Sequence, residues 1–336
     1  MRKNLEYSVE AAYPELFEGV NPYLTQEDIS DARRFLVNEG TKTAESVDDH
    51  IVTHTLDGRA FRMVVRKGES NNLVLAPAEF ATGIRGDGWA RLMAMKAIMD
   101  PFASVILQPQ NVLGQNNLNL SPKERAKLRS GNSQPIIDRI LKTLEEEGLE
   151  YENIDAVGVS LGATLMTDLA RHPDANVRSL TAFETPDIKK RKWLSLTKDF
   201  LLSGPNLYKN LEISKLGEEA DFLSQSKLNL IRFSMGALHA NNLATMLRLR
   251  TNSHAEGIMK ALEKNPGLGV VRGWTARSAI SPSYENRETT EFLKMYFGQQ
   301  VEGIEFAGPL ASHNSTNIPV LVGALARRAA TLSHAA

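Results

Sequence analysis

The chain has 336 residues, of which 42% are hydrophobic and 24% are charged, and its formal net charge is −1. This composition is typical of a globular protein long enough to bury a core, and the near-neutral charge predicts no nucleic-acid partner and no binding to an anionic membrane surface. Cysteine is absent, which excludes disulfides, thiol catalysis and cysteine metal ligands.

Residues 1–48 are predicted to form an N-terminal helical extension. Thr25 and Asp28 have the spacing of a capping box, and the helical pattern that follows ends near Asn38. The first residues lack the apolar centre of a secretory signal, and eighteen consecutive apolar residues occur nowhere. We therefore expect a cytoplasmic protein without a membrane span.

Residues 49–186 alternate between strand and helix patterns. A period-two pattern over 50–56 and 60–66, joined by Asp57-Gly58, predicts a β-hairpin. Apolar strands are then predicted at 73–77, 103–108, 154–159 and 179–183, and helices at 89–99, after Ser121 and at 135–147. This alternation predicts an α/β fold with a mostly parallel, doubly wound sheet behind an antiparallel opening hairpin.

The alternation stops over residues 187–266, which begin with a basic run at 189–192 and carry only helical patterns. It resumes with a strand at 267–272, a helix at 283–297, a strand at 301–306 and a helix at 318–332. We interpret 187–266 as a helical cap inserted into the fold, with 267–336 as the second part of the core.

The sequence G-x-S-x-G occupies residues 158–162, between the predicted strand 154–159 and a helical pattern that contains Leu165 and Leu169. A serine at a tight strand-to-helix turn projects its hydroxyl clear of the sheet, and glycines two residues away allow the two backbones to approach. The helix behind it offers backbone N–H groups to a developing oxyanion. A turn that merely permits close packing is the alternative, but the order of the elements favours Ser160 as a nucleophile.

This motif, with its flanking elements, resembles the nucleophile elbow of the α/β-hydrolase superfamily, and the resemblance extends over roughly residues 50–332. In that superfamily an acid and then a histidine follow the serine along the chain. The resemblance therefore implies that His313, which lies between the last predicted strand and the last helix, is the general base. An ordinary loop histidine is the alternative.

The acid departs from the family pattern. The resemblance puts it after the strand that starts at 267, where Ser278 is the alignable position and no carboxylate is present. Either Glu285 reaches the site, or the acid follows the strand after the elbow, as in certain haloalkane dehalogenases. Glu184 and Asp187 lie there, and we predict Glu184 first and Asp187 second, although an ordinary loop carboxylate is the alternative.

The resemblance also implies an oxyanion hole made of two backbone N–H groups. One belongs to Leu161, directly after the predicted nucleophile. The other is expected in the loop after strand 73–77, from Glu79 or, as the second choice, Phe80. The family often has His-Gly in this loop, where this chain has Pro77-Ala78.

Together these features predict a serine hydrolase that cleaves a carboxylic ester through an acyl-enzyme. The apolar residues of the predicted cap favour a small-molecule ester with a hydrophobic acyl or alcohol part, and nothing in the sequence sets an oligomeric state. No cofactor is expected, because the glycines at 83–88 are not followed by the Lys-Ser/Thr of a P-loop and lack the spacing of a dinucleotide fingerprint. No metal is expected either, because histidines and carboxylates such as His172 and Asp174 lack metal-ligand spacing.

A second hypothesis is an α/β-hydrolase-like binding or scaffold protein that no longer catalyses. The absence of a carboxylate at Ser278 and the Pro77-Ala78 step motivate it. A dehalogenase is the weakest alternative, because that chemistry needs an aspartate where Ser160 stands.

Overall fold

A computed structural model describes residues 50–77, 104–108, 119–186, 188, 254–276, 278, 281–306 and 319–334. Several predictions fall outside these ranges. They are the N-terminal extension, the helix at 89–99, most of the predicted cap, and the site residues Glu79, Phe80, Asp187 and His313.

Within these ranges, eight strands form one sheet in the spatial order β1-β2-β4-β3-β5-β6-β7-β8. β1 pairs with β2, and β2 with β4, in antiparallel fashion, whereas β4, β3, β5, β6, β7 and β8 are parallel. The strands are β1 Ile51–Leu56, β2 Arg59–Arg66, β3 Asn72–Pro77, β4 Ser104–Gln108, β5 Asn153–Val159, β6 Val177–Phe183, β7 Gly269–Thr275 and β8 Val301–Phe306. The predicted parallel sheet with an antiparallel opening hairpin is confirmed.

Six α-helices flank this sheet in the part of the chain that the structure describes. They are α1 Pro122–Arg129, α2 Gln134–Glu146, α3 Leu161–Ala170, α4 His254–Lys264, α5 Ser283–Phe297 and α6 Pro319–His334. None of them is long and apolar enough to cross a membrane.

Helices cover both faces of the sheet, as the alternating residues of β7 demonstrate. A Cβ atom at Gly269 or Gly273 would meet α6, at Ser333 and Leu325 respectively. Arg272, which points the other way, donates hydrogen bonds to Asn286 and Thr290 of α5. Because successive residues of a strand face opposite sides, α5 and α6 lie on opposite faces, and the sheet is doubly wound.

The central strand β5 is buried along almost its whole length, from Ile154 to Val159. A parallel strand covered on both faces must be apolar throughout, and the one charge here, Asp155, is compensated. Its carboxylate accepts a bidentate pair from Arg178, at 2.9 Å from Nε and 2.7 Å from Nη2, and a 2.6 Å bond from the Ser179 hydroxyl. This pair ties β5 to β6 near the end of the sheet where both strands begin.

The start of α1 is a capping box. The Ser121 hydroxyl accepts a hydrogen bond from the Glu124 N–H, and the Glu124 carboxylate accepts one from the Ser121 N–H and others from Arg139 of α2. Burial opposes ionisation of Glu124, but the hydrogen bonds from Ser121 and the charge of Arg139 outweigh it and hold the pKa of this carboxyl below its ordinary value. The carboxylate therefore joins the two helices most strongly when it is ionised.

The predicted cap contributes one described helix. α4, at the end of the range 187–266, packs against α3, and a Cβ at Gly257 would lie 2.7 Å from Cγ2 of Thr167. His254 is buried at the start of α4, with Nδ1 3.3 Å from the Thr167 hydroxyl. This segment thus belongs to the helical layer beside the sheet, and residues 189–253 lie outside the described part of the chain.

Candidate active site

Ser160 occupies the turn between β5 and α3 in a strained backbone conformation, with φ 53° and ψ −123°. An L-residue rarely adopts a positive φ, and such outliers concentrate at functional sites. Two backbone bonds hold the turn, because the Ser160 N–H donates to Phe183 O at 2.9 Å and Ser160 O accepts from the Ala163 N–H at 3.0 Å. Ser160 is the N-cap residue of α3, yet its hydroxyl makes no capping bond.

Gly158 allows this turn to close. A Cβ atom there would overlap Cα of Ala163 and would lie 2.5 Å from its N atom and 2.6 Å from Gly162 O. Strand and helix backbones are therefore in direct contact at Gly158, which is the reason the motif has glycine at that position.

The N-terminus of α3 lies directly behind Ser160. The first N–H groups of an α-helix have no acceptor within the helix, and Leu161 is the first helical residue. All ten residues of α3 are buried, so the partial positive charge at this helix end acts in a region of low dielectric. Such a helix end can stabilise negative charge that develops next to Ser160.

Glu184 follows the last residue of β6 and also has a positive φ, 54°. It is fully buried, with 0% of its surface exposed, and its N–H donates to Gly273 O at 2.9 Å. Its Oε1 accepts two hydrogen bonds from Thr275, one from the N–H at 2.5 Å and one from the hydroxyl at 2.7 Å. Two hydrogen bonds therefore satisfy one oxygen of this fully buried side chain.

Ser160, Glu184 and Thr275 lie at the carboxyl ends of three neighbouring strands. Val159 of β5 pairs with Phe183 of β6, and Phe183 pairs with Gly273 of β7. The predicted nucleophile and the predicted acid therefore follow paired residues at one edge of the sheet. This is the edge at which ligands bind in open parallel sheets.

The remaining predicted residues lie outside the described ranges, but the strands that lead to them end at the same edge. β3 ends at Pro77, two residues before Glu79, and β8 ends at Phe306, before His313. The contacts of His313, Glu79, Phe80 and Asp187 stay predictions. Glu285, which the sequence left open as an acid, lies in the first turn of α5, and its Oε1 accepts a 2.9 Å bond from the Tyr284 hydroxyl.

Sequence reasoning missed Thr275, which is buried with 0% exposure and is the direct partner of Glu184. The available signal was its position as the last residue of a strand next to β6. Within the described ranges, no group of three histidine or acidic side chains is placed to hold a metal ion.

Solved structures with similar folds include three that the chain matches over nearly their whole length. A bromoperoxidase from Bacillus anthracis has 13% identity and a TM-score of 0.53, over 85% of this chain and 100% of that protein. A carboxylesterase structure from the thaumarchaeon Nitrososphaera gargenis has 16% identity and a TM-score of 0.52, over 80% and 93%. The thioesterase domain from the curacin biosynthetic pathway has 13% identity and a TM-score of 0.50, over 85% and 99%.

No family sequence model matches the chain, and a comparison with curated protein sequences also finds no match. At these identities, the structural similarity defines the fold and leaves the chemistry to the residues of the site.

Proposed function

We propose that this chain, which has the α/β-hydrolase fold, is a serine hydrolase that cleaves a carboxylic ester through an acyl-enzyme. The observation that carries the proposal is the conformation of Ser160, held at positive φ between β5 and the buried N-terminus of α3. Carboxylesterases are among the proteins with this fold and a similar structure.

In this proposal Ser160 attacks the carbonyl carbon of the ester while His313 takes the proton of the hydroxyl. The N–H groups of Leu161 and of Glu79, or Phe80 in its place, bind the oxyanion of the tetrahedral intermediate. His313 then returns the proton to the departing alcohol, and Ser160 keeps the acyl group. A water molecule, deprotonated by His313, releases the carboxylic acid and restores the free serine.

Glu184 is the proposed acid that orients the imidazole of His313. Three properties support it over a surface carboxylate: full burial, a strained backbone, and two donors on one oxygen. Asp187, three residues further on, is the second candidate.

The substrate is proposed to be a small ester with a hydrophobic acyl or alcohol part, because the sequence between β6 and α4 is rich in leucine. A serine triad acts through proton transfer and needs neither a metal nor an organic cofactor.

The test is labelling of the purified protein with a fluorophosphonate probe, which phosphonylates an activated serine. We expect labelling of the wild type and of Ser130→Ala, which removes an exposed serine hydroxyl far along the chain from the elbow. Labelling disappears in Ser160→Ala and falls at least a hundredfold in His313→Ala. Glu184→Gln also lowers the labelling rate, whereas the labelling rate of Asp187→Asn stays within about twofold of the wild-type rate.

Wild-type protein that is folded by circular dichroism and still does not react would refute the proposal. That result would instead support the binding or scaffold hypothesis.

A further inference from the structure

The carboxyl end of β7 is the place where the family resemblance puts the triad acid, and in this chain it carries Thr275 and no carboxylate. Thr275 directs both of its donors, the backbone N–H and the hydroxyl, to Oε1 of Glu184 on the neighbouring strand. The carboxylate therefore follows β6, and the residue that donates hydrogen bonds to it ends β7.

Thr275 is itself fixed by a buried chain of hydrogen bonds. Its carbonyl accepts from the Ser278 N–H at 3.2 Å, and the Ser278 hydroxyl accepts from the Ser281 N–H at 3.0 Å. Asn286 at the start of α5 donates to the Ser281 hydroxyl at 2.9 Å. A buried network with these bonds in place is rigid, so Thr275 presents its two donors at a defined position.

We infer that Thr275 is a positioning residue for the triad, and that it holds Glu184 in the orientation that the base requires. The inference rests on the proposed function, since an orientation of Glu184 matters to catalysis only if Ser160 is a nucleophile. It also accounts for the departure from the family pattern: the acid lies after β6, and the end of β7 supplies the donors that orient it.

The geometry explains why both donors matter. Glu184 is strained at φ 54° and fully buried. A carboxylate held by a single bond can rotate about it, whereas two donors from different atoms of one residue fix Oε1 in position.

The experiment measures the rate constant for fluorophosphonate labelling of Ser160 in three single variants, each at a temperature where circular dichroism shows it folded. Thr275→Val replaces the hydroxyl with a methyl of similar volume and keeps the N–H. Thr275→Ser keeps both the hydroxyl and the N–H and removes only the methyl group. Thr181→Val is the matched control, because Thr181 on β6 is equally buried and its hydroxyl has no hydrogen-bond partner among the described residues.

We expect the rate constant to fall about tenfold in Thr275→Val, the effect of one lost hydrogen bond to a charged group. Thr275→Ser stays within about threefold of the wild type, and Thr181→Val within about twofold. If the valine variant does not fold, Thr275→Ala replaces it in the same comparison.

A double-mutant cycle separates positioning of Glu184 from a general packing effect. In a Glu184→Gln background, adding Thr275→Val should lower the rate by less than about twofold, because the carboxylate it positions is already gone. An equal tenfold loss in both backgrounds would overturn the inference, as would equal rates in Thr275→Val and Thr181→Val or a serine variant as slow as the valine variant.

Failure of the proposed function has a different signature. Wild-type protein without labelling at Ser160 would remove the nucleophile and with it the reason for positioning Glu184. Labelling that depends on Ser160 but is unchanged in Thr275→Val would overturn the inference alone.

Discussion

Replacing Gly158 with alanine tests whether contact between β5 and α3 is what makes the elbow. The new Cβ would lie 2.5 Å from Ala163 N, where contacts of 3.4 Å or more are ordinary, a shortfall of about 0.9 Å. All the nearby atoms are backbone, so no side chain can rotate away and the helix itself must shift. α3 is buried throughout, and overpacking of this kind costs about 3 kcal/mol of unfolding free energy.

The assay is urea unfolding followed by circular dichroism, together with fluorophosphonate labelling at a urea concentration where the protein stays folded. Gly267→Ala is the matched control, because the nearest atom to its Cβ is a side-chain oxygen at 3.4 Å, and we expect a change within about 0.5 kcal/mol. We expect Gly158→Ala to lose labelling as well, since a shift of α3 moves the N–H of Leu161. Normal stability and normal labelling in Gly158→Ala would refute the reasoning.

Two further predictions concern stability. Asp155→Asn should lower the unfolding free energy by about 3 kcal/mol in urea unfolding, because it removes the buried carboxylate that pairs with Arg178. Glu256→Gln is the control: it breaks an exposed pair and should change the unfolding free energy by less than about 0.5 kcal/mol. Equal effects of the two substitutions would contradict this prediction. Glu124 has a lowered pKa, so the stability it adds is present above its ordinary pKa of 4.5 and is lost as the pH falls through the lower, folded-state value. The difference in unfolding free energy between wild type and Glu124→Gln should therefore be constant from pH 7 to pH 6 and shrink below pH 4.5, and a difference that grows on acidification would show the opposite sign.

The fold could be predicted from sequence wherever a turn or capping residue lay next to a segment with the apolar periodicity of a strand or a helix. Asp57-Gly58 predicted the hairpin turn, and both residues adopt the positive φ, 52° and 70°, that such a turn requires. The helix 283–297 and the strand 301–306 were predicted with the bounds that the structure has.

The packing partner of α4 could not be predicted in this way. Its helical pattern is evident in the sequence, but whether a helix covers a site or joins the layer beside the sheet depends on contacts with residues far along the chain. The contact with Thr167 spans more than eighty residues, and no local pattern encodes it.

The residues of the candidate site differ in the same way: some could be predicted from local sequence, and others depend on contacts with distant parts of the chain. Ser160 was predictable because the nucleophile, the glycine it needs and the helix behind it lie within five consecutive residues. Glu184 could be proposed from its position after β6, but its two side-chain donors come from Thr275 of β7, about ninety residues away. Thr275 was missed because threonine at a strand end is ordinary by sequence and acquires a role only from the register that brings Gly273 opposite Phe183.

The two strained residues at the ends of β5 and β6 connect the fold to the proposed chemistry. A positive φ at a non-glycine residue costs about 1–2 kcal/mol, and Ser160 and Glu184 both have one. For Ser160 the strain has a local reason, since the strand must turn directly into a buried helix. For Glu184 the described residues 184–186 form no helix, and the residue is held by the two donors of Thr275 and by the bond of its own N–H to Gly273 O. A fully buried carboxylate in a strained conformation is stable only with such partners. The end of β7 thus supplies hydrogen-bond donors to the carboxyl group at the end of β6 and carries no carboxyl group of its own.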